Sequence, residues 1–418
     1  MEKSINDSLI LDLERINWGF EDYNSAKYPL DINSIPWYPA TFPAPIPKYL
    51  IALLSEAGDI VLDPFGGKGT TAVEALKQQR RFIYNDLNPH AVMIVNCLLD
   101  SLNNSISEMN LKDMVQSDKI ALLKNNNIDT TSYSGKIPEN IIPAIGAATI
   151  ERVANYGIKE DVIYWYHKST LNELLDIFDY ISQYTGSENS IRKLAFISIL
   201  KEVSSQRGHF SYVTDNCKPL EMKYYSAFEA YMDMLERIIL ASLDFKRQYE
   251  ILNKNNDLAK VVNQSYVVSG NAKKMNTIHD SSVDLVLTSP PYLCAQDYVL
   301  TMRLNDFFFP NQGFLDLPVK EIGPRKLRRK PTIVEDYFSD MGSVTDEIYR
   351  VLKTGCYYVL VIGQGKGKVT TGIDVIERVI SDTIEKGFKK IFQRTRTISY
   401  RTNRIGGVDK EDIIIFQK

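Results

Sequence analysis

The sequence predicts an α/β fold, in which a Rossmann-like, doubly wound sheet ends in a C-terminal antiparallel strand and is interrupted by a mainly helical insertion. Short apolar runs such as residues 60–62 end in Gly-rich or Pro-rich turns and lead into amphipathic helices. Between about 150 and 257, apolar residues instead recur at three- and four-residue spacing. Two late runs, 395–400 and 412–416, have the pattern of a closing antiparallel pair.

Length and composition are those of a globular protein with a sizeable core. The chain has 418 residues, enough for two or three domains, with 44% hydrophobic and 24% charged residues. Its net charge of -3 neither indicates nor excludes nucleic acid, so a nucleic-acid-binding face would have to be a local basic patch.

Cysteine usage and the N-terminal segment bear on the compartment. The four cysteines, at positions 97, 217, 294 and 356, are far apart and form no C-x-x-C pair. Neither a disulfide framework nor a metal site is therefore expected, as is typical of a reducing cytoplasm. The first residues are charged throughout and no long apolar span follows, so we expect a cytoplasmic protein without membrane attachment.

A Gly-rich loop follows the first predicted strand, in the sequence IVLDPFGGKGTT over residues 60–71. Gly66, Gly67 and Gly69 allow a ligand to approach the main chain closely, and a helix predicted to begin near Thr70 points its free N–H groups at the loop. Asp86 ends the next apolar run about 20 residues later, where an acidic residue can accept hydrogen bonds from ribose hydroxyls. The pattern indicates a nucleoside cofactor.

Two common nucleotide loops do not fit this segment. A P-loop requires Gly-Lys followed by Ser or Thr, whereas Lys68 is followed by Gly69. The dinucleotide fingerprint G-x-G-x-x-G also fails, because no third glycine follows at the required distance. An ordinary Gly-rich turn in a Rossmann-like domain is the alternative without a ligand.

A second special turn, TSPPY over residues 288–292, follows the strand predicted over 283–287. Pro290 and Pro291 make the turn rigid and leave carbonyl groups free to accept hydrogen bonds. Ser289 adds a hydroxyl, and Tyr292 adds a flat ring with a polar end. Such a turn can hold an exocyclic amine between acceptors, although S-P-P-Y alone could be a plain proline turn.

Together, the two motifs resemble those of the S-adenosylmethionine-dependent DNA amino-methyltransferases, D-P-F-x-G-x-G-T and S/D/N-P-P-Y/F. The resemblance covers roughly residues 38–100 and 266–418. It implies S-adenosyl-L-methionine as cofactor and a methyltransferase catalytic domain over 1–100 and 261–418, with residues 101–260 as the helical insertion. Because the Ser form of the second motif is typical of cytosine-N4 enzymes, we expect methylation of the N4 amine of a flipped cytosine in double-stranded DNA.

The resemblance also implies roles for individual residues. Those expected to bind the cofactor are Phe42, Pro43, Asp63, Phe65, Gly66, Gly67, Gly69, Thr70, Thr71, Asp86 and Asn271. Those expected in the catalytic turn are Ser289, Pro290, Pro291 and Tyr292.

Basic residues after the catalytic turn are the expected DNA contacts. Residues 325–330 hold five cations in six positions, suited to phosphates, although a solvated charge run is the alternative. Weaker candidates for the same face are Arg394, Arg396, Arg401 and Arg404. The long insertion does not lie directly before the catalytic motif, so target recognition is left open between the insertion and this loop. The predicted DNA-binding residues are Arg325, Lys326, Arg328, Arg329, Lys330 and, in the insertion, Arg207.

Other nucleic-acid functions are alternatives to cytosine-N4 methylation. A cytosine-C5 enzyme needs a cysteine nucleophile, normally directly after a proline, but Cys294 follows Leu293. An adenine-N6 DNA methyltransferase is the main alternative, and an RNA methyltransferase or a non-catalytic nucleic-acid-binding module is less favoured. If the enzyme modifies a specific DNA site, a separately encoded restriction endonuclease is a candidate partner.

Overall fold

The computed structural model of the chain describes residues 7–20, 30–35, 38, 41, 43–103, 108–122, 131–134, 145–206, 218–219, 221–253, 257–365, 368–398 and 408–418. Within these ranges no helix is long and apolar enough to cross a lipid bilayer.

The described part of the chain contains α-helices and nine strands. The helices are α1 (Asp7–Arg15), α2 (Pro45–Leu54), α3 (Thr70–Lys77), α4 (Pro89–Asn103), α5 (Glu108–Leu122), α6 (Ala147–Asn155), α7 (Lys168–Ser182), α8 (Gly186–Ile199), α9 (Ala227–Leu252), α10 (Leu258–Asn263), α11 (Arg303–Phe308), α12 (Ile333–Val351) and α13 (Val375–Glu385). The strands are β1 (Ile60–Asp63), β2 (Arg81–Asp86), β3 (Tyr133–Ser134), β4 (Glu221–Met222), β5 (Tyr266–Ser269), β6 (Val283–Thr288), β7 (Leu352–Gly363), β8 (Lys389–Thr397) and β9 (Lys410–Gln417).

Seven strands form one sheet in the order β5-β2-β1-β6-β7-β9-β8. The first five are parallel to their neighbours, and β9 is antiparallel to both β7 and β8. The predicted doubly wound sheet with a C-terminal antiparallel strand is confirmed. Since parallel strands end at the same edge, the loops that follow β1, β2, β5 and β6 lie together.

Both faces of the sheet are covered, as a mostly parallel sheet requires. Alternate residues of β1 point to opposite sides: Val61 packs in the core that contains residues of α3 and α4, whereas Leu62 packs in the core under α12 and α13. The first of these cores continues without a break into the side chains of α7, α8 and α9. The predicted helical character of residues 150–257 is thus confirmed in the described ranges, while the division into domains stays a prediction.

One polar stretch contains a helix. The Ser, Asn, Lys and Asp runs over residues 101–140 indicate an exposed loop or weakly ordered polar sequence, but 108–122 form α5. Asp118 of this helix is fully buried, accepts hydrogen bonds from the Arg192 Nε (3.0 Å) and Nη2 (2.9 Å), and accepts another from the Tyr231 hydroxyl (3.0 Å). The helix buries this ion pair together with the apolar side chains of Met114 and Leu122, so its buried face is partly polar. The prediction was therefore wrong there.

Two smaller predictions have different outcomes. His167 lies in the sequence YWYHKST, which indicates a packed or capping histidine, and its Nδ1 accepts the Ser169 N–H (3.2 Å) at the start of α7, which confirms this prediction. The strand expected over residues 395–400 begins earlier, at Lys389, and ends at Thr397. Exposed charged residues of β8, such as Lys390 and Arg394, interrupt the apolar pattern from which a strand is predicted. Such charges are common on edge strands because they prevent pairing with another chain.

Candidate active site

A single buried carboxylate joins the two special loops. Asp63, the last residue of β1, is 4% exposed. Its Oδ2 accepts the Thr71 hydroxyl (2.7 Å), and its Oδ1 accepts the Thr288 hydroxyl (2.6 Å) and the Phe65 N–H (3.1 Å). Burial raises the pKa of Asp63 to about 6, against the opposing effect of these hydrogen bonds. The Gly-rich loop and the TSPPY turn are therefore adjacent, as predicted from their strand ends.

The glycines of the first loop are required by its packing on β2. A Cβ atom on Gly66 would lie 2.2 Å from ring atoms of Tyr84, and Gly67 (φ +50°) and Gly69 (φ +86°) have backbone angles that side chains disfavour. The Gly66 N–H donates to the Asn85 carbonyl (2.9 Å), and the Tyr84 hydroxyl donates to the Gly67 carbonyl (2.6 Å). The loop is thus pressed onto the neighbouring strand, and α3 begins directly after it.

Asp86 lies beside this loop at the end of β2. Its carboxylate accepts the Gly67 N–H (2.9 Å) and the Asn88 N–H (2.8 Å). Burial raises the pKa of this carboxyl to about 6. Its own carbonyl accepts the Gly270 N–H (3.0 Å), which brings Asn271 to the same edge of the sheet. The Asn271 Oδ1 there accepts the Lys273 N–H (2.9 Å).

Polar atoms around the loop fit a nucleoside with a polar amino-acid end. Among the described residues, the Thr70 Oγ1 is buried and has no hydrogen-bond partner. Buried polar groups are normally paired, so unpaired ones beside a loop are expected to meet a ligand. The ring of Tyr38 lies 3.3 Å from the position of a Cβ on Gly67 and so closes one side of the loop. Tyr38 was not predicted as a cofactor contact; the residues predicted in this segment were the nearby Phe42 and Pro43.

The TSPPY turn is held from several sides. The Ser289 Oγ lies 3.3 Å from the Tyr292 hydroxyl, which donates to the Glu411 Oε2 (2.9 Å). The Tyr337 hydroxyl donates to the Pro291 carbonyl (3.2 Å), and Pro290 is buried. Burial, followed by the charge of Glu411, raises the pKa of Tyr292 well above its ordinary value. The phenol therefore stays protonated and can donate a hydrogen bond.

Two neighbours of this turn come from the antiparallel part of the sheet and were not predicted. Gly363 is the last residue of β7, and a Cβ atom on it would lie only 2.9 Å from the Tyr292 ring. Glu411 of β9 pairs in register with Gly363 of β7. Its sequence context, a charged cluster before an apolar run, looks like an ordinary solvated strand end, so no local signal could identify it.

Glu321 is a buried acid between the catalytic turn and the cofactor loop. It is 8% exposed; its Oε1 accepts the Val299 N–H (2.6 Å), and its Oε2 has no partner among the described residues. Burial raises the pKa of Glu321 to about 8, and the nearby carboxylates of Asp297 and Asp86 add to the rise. We therefore expect a neutral carboxylic acid at neutral pH.

Replacing Glu321 by glutamine should change how stability depends on pH. In the unfolded chain this acid ionises near its ordinary pKa of 4.5, whereas in the fold it stays protonated up to about pH 8. Glu321 should thus lower the wild-type free energy of unfolding by up to about 1.4 kcal/mol per pH unit across that window, and its effect should then level off. In Glu321→Gln this contribution should vanish, as measured by urea unfolding between pH 6 and 8, above the pKa of about 6 that Asp63 and Asp86 have. An unchanged pH slope, or the same change in Asp316→Asn at an exposed carboxylate, would contradict the assignment.

The basic loop is tied directly to the segment after Tyr292. The Cys294 N–H donates to the Gly323 carbonyl (2.8 Å), the Arg325 N–H donates to the Gln296 carbonyl (3.1 Å), and the Lys326 N–H donates to the Asp297 Oδ1 (2.7 Å). Four of its five cations are exposed: Lys326, Arg328, Arg329 and Lys330. A cationic surface is thus fixed next to the catalytic turn.

Other predicted residues have mixed outcomes. Phe42, Arg207, Arg401 and Arg404 lie outside the described residues. Pro43 lies in the loop before α2, where its carbonyl accepts the Ile46 N–H (3.0 Å). Arg396 does not extend the basic face, because it is 7% exposed and its Nε donates to the Glu411 Oε1 (2.5 Å). No cluster of three or more histidine, cysteine, aspartate or glutamate side chains in the described ranges could hold a metal ion.

Comparisons with known proteins agree with this geometry. Residues 11–97, which include the Gly-rich loop, match a family model of the N6/N4 type described as DNA methylase. The chain is 36% identical to the type II methyltransferase M.PvuII of Proteus hauseri over 77 residues, which are 18% of this chain and 22% of that enzyme. It is 47% identical to M.BglI of Bacillus subtilis over 57 residues, which are 14% of this chain and 16% of that enzyme. An alignment of 409 residues with M.MjaII of Methanocaldococcus jannaschii has 21% identity and covers 84% of this chain and 76% of that enzyme.

The sheet order and the two adjoining loops define an α/β protein of the Rossmann-like methyltransferase class. The family model and the named type II methyltransferases support an S-adenosylmethionine-dependent DNA amino-methyltransferase of the N4/N6 family. The alignments with M.PvuII and M.BglI span less than a quarter of those enzymes. The same family match supports S-adenosylmethionine as the cofactor.

Proposed function

We propose that the chain is a site-specific DNA methyltransferase that transfers a methyl group from S-adenosyl-L-methionine to the exocyclic N4 amine of a cytosine flipped out of duplex DNA. The observation that supports this most directly is the position of Asp63. Its carboxylate binds Thr71 of the Gly-rich loop and Thr288 of the TSPPY turn, so a cofactor on the first loop would lie beside a base in the second.

The residues of the first loop suit the binding of this cofactor. Bound S-adenosylmethionine supplies an electrophilic methyl group on a sulfonium. Gly66 and Gly67 let it approach the backbone, the unpaired Thr70 hydroxyl offers a hydrogen bond, and Asp86 has lone pairs left for ribose hydroxyls. Tyr38 closes the loop from the side.

The residues of the second turn suit an exocyclic amine. The lone pair of such an amine is delocalised into the base, so acceptors must draw its hydrogens out of the ring plane and stabilise the positive charge that develops on nitrogen. The Ser289 hydroxyl and the Pro290 carbonyl are the two acceptors, and Tyr292 offers its ring for stacking with the flipped base. On accepting the methyl group, the amine would release one proton to solvent, while Ser289 and the Pro290 carbonyl would hold its N–H groups.

An adenine-N6 DNA methyltransferase is the alternative, because the matched family includes both types and the pocket as a whole fixes the base. The deciding experiment incubates the purified protein with unmethylated DNA and methyl-labelled S-adenosylmethionine, digests the DNA to nucleosides and identifies the labelled one by mass spectrometry. We expect labelled N4-methylcytosine. Labelled N6-methyladenine would reassign the base, and label on RNA alone would reassign the substrate. If neither DNA nor RNA is labelled, the protein is a binding module and the proposal is wrong.

The exposed cations after the turn should contact DNA phosphates. In the double variant Arg328→Gln/Arg329→Gln, DNA affinity should fall, and the slope of log affinity against log salt should become shallower by about 2, because each phosphate contact contributes about 0.9. Fluorescence anisotropy with a duplex over a series of salt concentrations measures both quantities.

The matched control for this prediction is Lys389→Gln/Lys390→Gln. These exposed lysines begin β8, which runs in the same direction as β7, and so lie at the opposite edge of the sheet from the loops. Equal salt slopes in the two double variants would show that residues 325–330 are only a solvated charge run.

The biological setting is proposed with the activity. M.PvuII, M.BglI and M.MjaII are all named type II methyltransferases. By analogy, this chain would protect a DNA sequence in the cytoplasm from a separately encoded restriction endonuclease. Co-expression with a candidate endonuclease, followed by a test of cell survival, examines this partner.

A further inference from the structure

A buried chain of hydrogen bonds connects the catalytic turn to the antiparallel edge of the sheet. The Arg396 Nε donates to the Glu411 Oε1 (2.5 Å), and the Glu411 Oε2 accepts the Tyr292 hydroxyl (2.9 Å), whose oxygen lies 3.3 Å from the Ser289 Oγ. The side chains of Arg396 and Glu411 are each only 6% exposed. Burial of an ion pair carries a desolvation penalty, and the two strands can pair without it. The pair is therefore a candidate for a role beyond stability.

Strand register fixes this chain in place. Arg396 on β8, Glu411 on β9 and Gly363 on β7 are consecutive partners across three strands. Because Gly363 lacks a side chain, the Tyr292 ring can lie against the end of β7 and reach Glu411. The carboxylate therefore occupies a set position relative to the catalytic turn.

The direction of each hydrogen bond follows from the chemistry of its partners. A carboxylate only accepts hydrogen bonds, and an arginine only donates them. Glu411 bound to Arg396 must therefore receive the Tyr292 proton. The Tyr292 oxygen is then left to accept the Ser289 proton, and the lone pairs of Ser289 remain for the N–H groups of an incoming amine.

We propose that Glu411, held by Arg396, is a positioning residue that sets the donor–acceptor direction of the Tyr292–Ser289 pair, so that Ser289 presents an acceptor to the target amine. This inference rests on the proposed function of the same turn. The Ser289 acceptor is useful only while the amine is being made nucleophilic, so the effect belongs to the chemical step.

Glu411→Gln tests this with almost no change in shape. Arg396 can only donate, so it should hold the amide oxygen and turn the amide N–H₂ toward Tyr292. The Tyr292 hydroxyl must then donate to the Ser289 oxygen. The Ser289 proton is in turn directed at the target amine, so Ser289 no longer presents an acceptor to it. We expect kcat to fall about 10- to 100-fold, the size of loss usual for a supporting partner around a site. The KM for DNA and the equilibrium affinity for S-adenosylmethionine should stay close to those of the wild type, whereas the midpoint of thermal unfolding should fall because Arg396 loses its buried counter-charge.

A double-mutant cycle separates this role from a structural one. Tyr292→Phe removes the hydroxyl that transmits the effect, so adding Glu411→Gln to Tyr292→Phe should lower kcat by less than twofold. The matched control is Asp412→Asn, which changes a neighbouring buried carboxylate that accepts the Gln393 amide (2.8 Å). Consecutive strand residues point to opposite faces, so this control should leave kcat unchanged.

Three results would overturn the inference while the wild type is active: full kcat in Glu411→Gln, an undiminished effect in the Tyr292→Phe background, or an equal loss in Asp412→Asn. If Glu411→Gln does not fold, Arg396→Gln/Glu411→Gln removes both charges, and kcat should still fall because no carboxylate then obliges Tyr292 to donate its proton. Absence of methyl transfer by the wild type on every nucleic acid overturns the proposed function, and this inference with it, before any variant is compared.

Discussion

Replacing Ser289 by alanine should lower kcat by about 10²- to 10³-fold, the range typical when one preorganised hydrogen-bonding group is removed from a catalytic site. The hydroxyl lies in the TSPPY turn, 3.3 Å from the Tyr292 hydroxyl, and offers the lone pair that stabilises charge developing on the amine. Affinity for S-adenosylmethionine should be nearly unchanged, because the cofactor binds the other loop. Single-turnover methylation and equilibrium titration with the cofactor measure the two quantities separately.

Ser282→Ala is the matched control for this change. Ser282 precedes the same strand, β6, at its opposite end, where its hydroxyl donates to the His279 carbonyl (2.7 Å). Its loss should leave turnover unchanged. If Ser289→Ala abolished cofactor binding, or if it turned over as fast as the Ser282 variant, the catalytic assignment of the turn would be wrong.

Replacing Gly66 by alanine should abolish cofactor binding and destabilise the fold. The added Cβ would lie 2.2 Å from the Tyr84 ring, which is itself 1% exposed and has no room to retreat. Overpacking of this kind costs about 1–3 kcal/mol or more, and the loop must also move away from β2. Isothermal titration with S-adenosylmethionine and denaturant unfolding measure the two effects.

Gly342→Ala serves as its control. This glycine lies inside α12, where the nearest atom to an added Cβ is the Lys386 Cε at 3.6 Å. There alanine should stabilise the protein by up to about 1 kcal/mol and leave cofactor binding intact. Wild-type cofactor affinity in Gly66→Ala would mean that the ligand does not approach this part of the loop.

The sequence predicted the elements whose signals are local. The Gly-rich loop and the TSPPY turn could be placed because glycine and proline punctuate the chain, and because parallel strands bring their carboxyl ends together. Asp63 and Asp86 could be identified because each ends an apolar run directly at such an edge. Helices with an apolar stripe were also predictable from their period.

What escaped prediction depends on contacts between distant segments. The buried face of α5 includes the charged Asp118, whose partner Arg192 lies 74 residues away. Glu411 is placed beside the catalytic turn only by the register of β9 against β7. The pKa of Glu321 is raised only because the fold buries it near Asp86. None of these contacts leaves a pattern within a window of a few residues, so no local rule could find them.

The position of β9 between β7 and β8 also makes assembly of the site a late event in folding. Strand β9 is the last of the three in sequence but the middle one in space, so β7 and β8 cannot belong to one sheet until it has inserted. The side-chain contacts of the Gly-rich loop join residues 8 and 19 positions apart, whereas the Tyr292–Glu411 hydrogen bond joins residues 119 positions apart and carries a larger loop-closure penalty. A folding intermediate with β1, β2 and α3 in place would have the Gly-rich loop but no Glu411 beside Tyr292. Catalytic competence is therefore expected to appear after cofactor-binding competence as the protein folds.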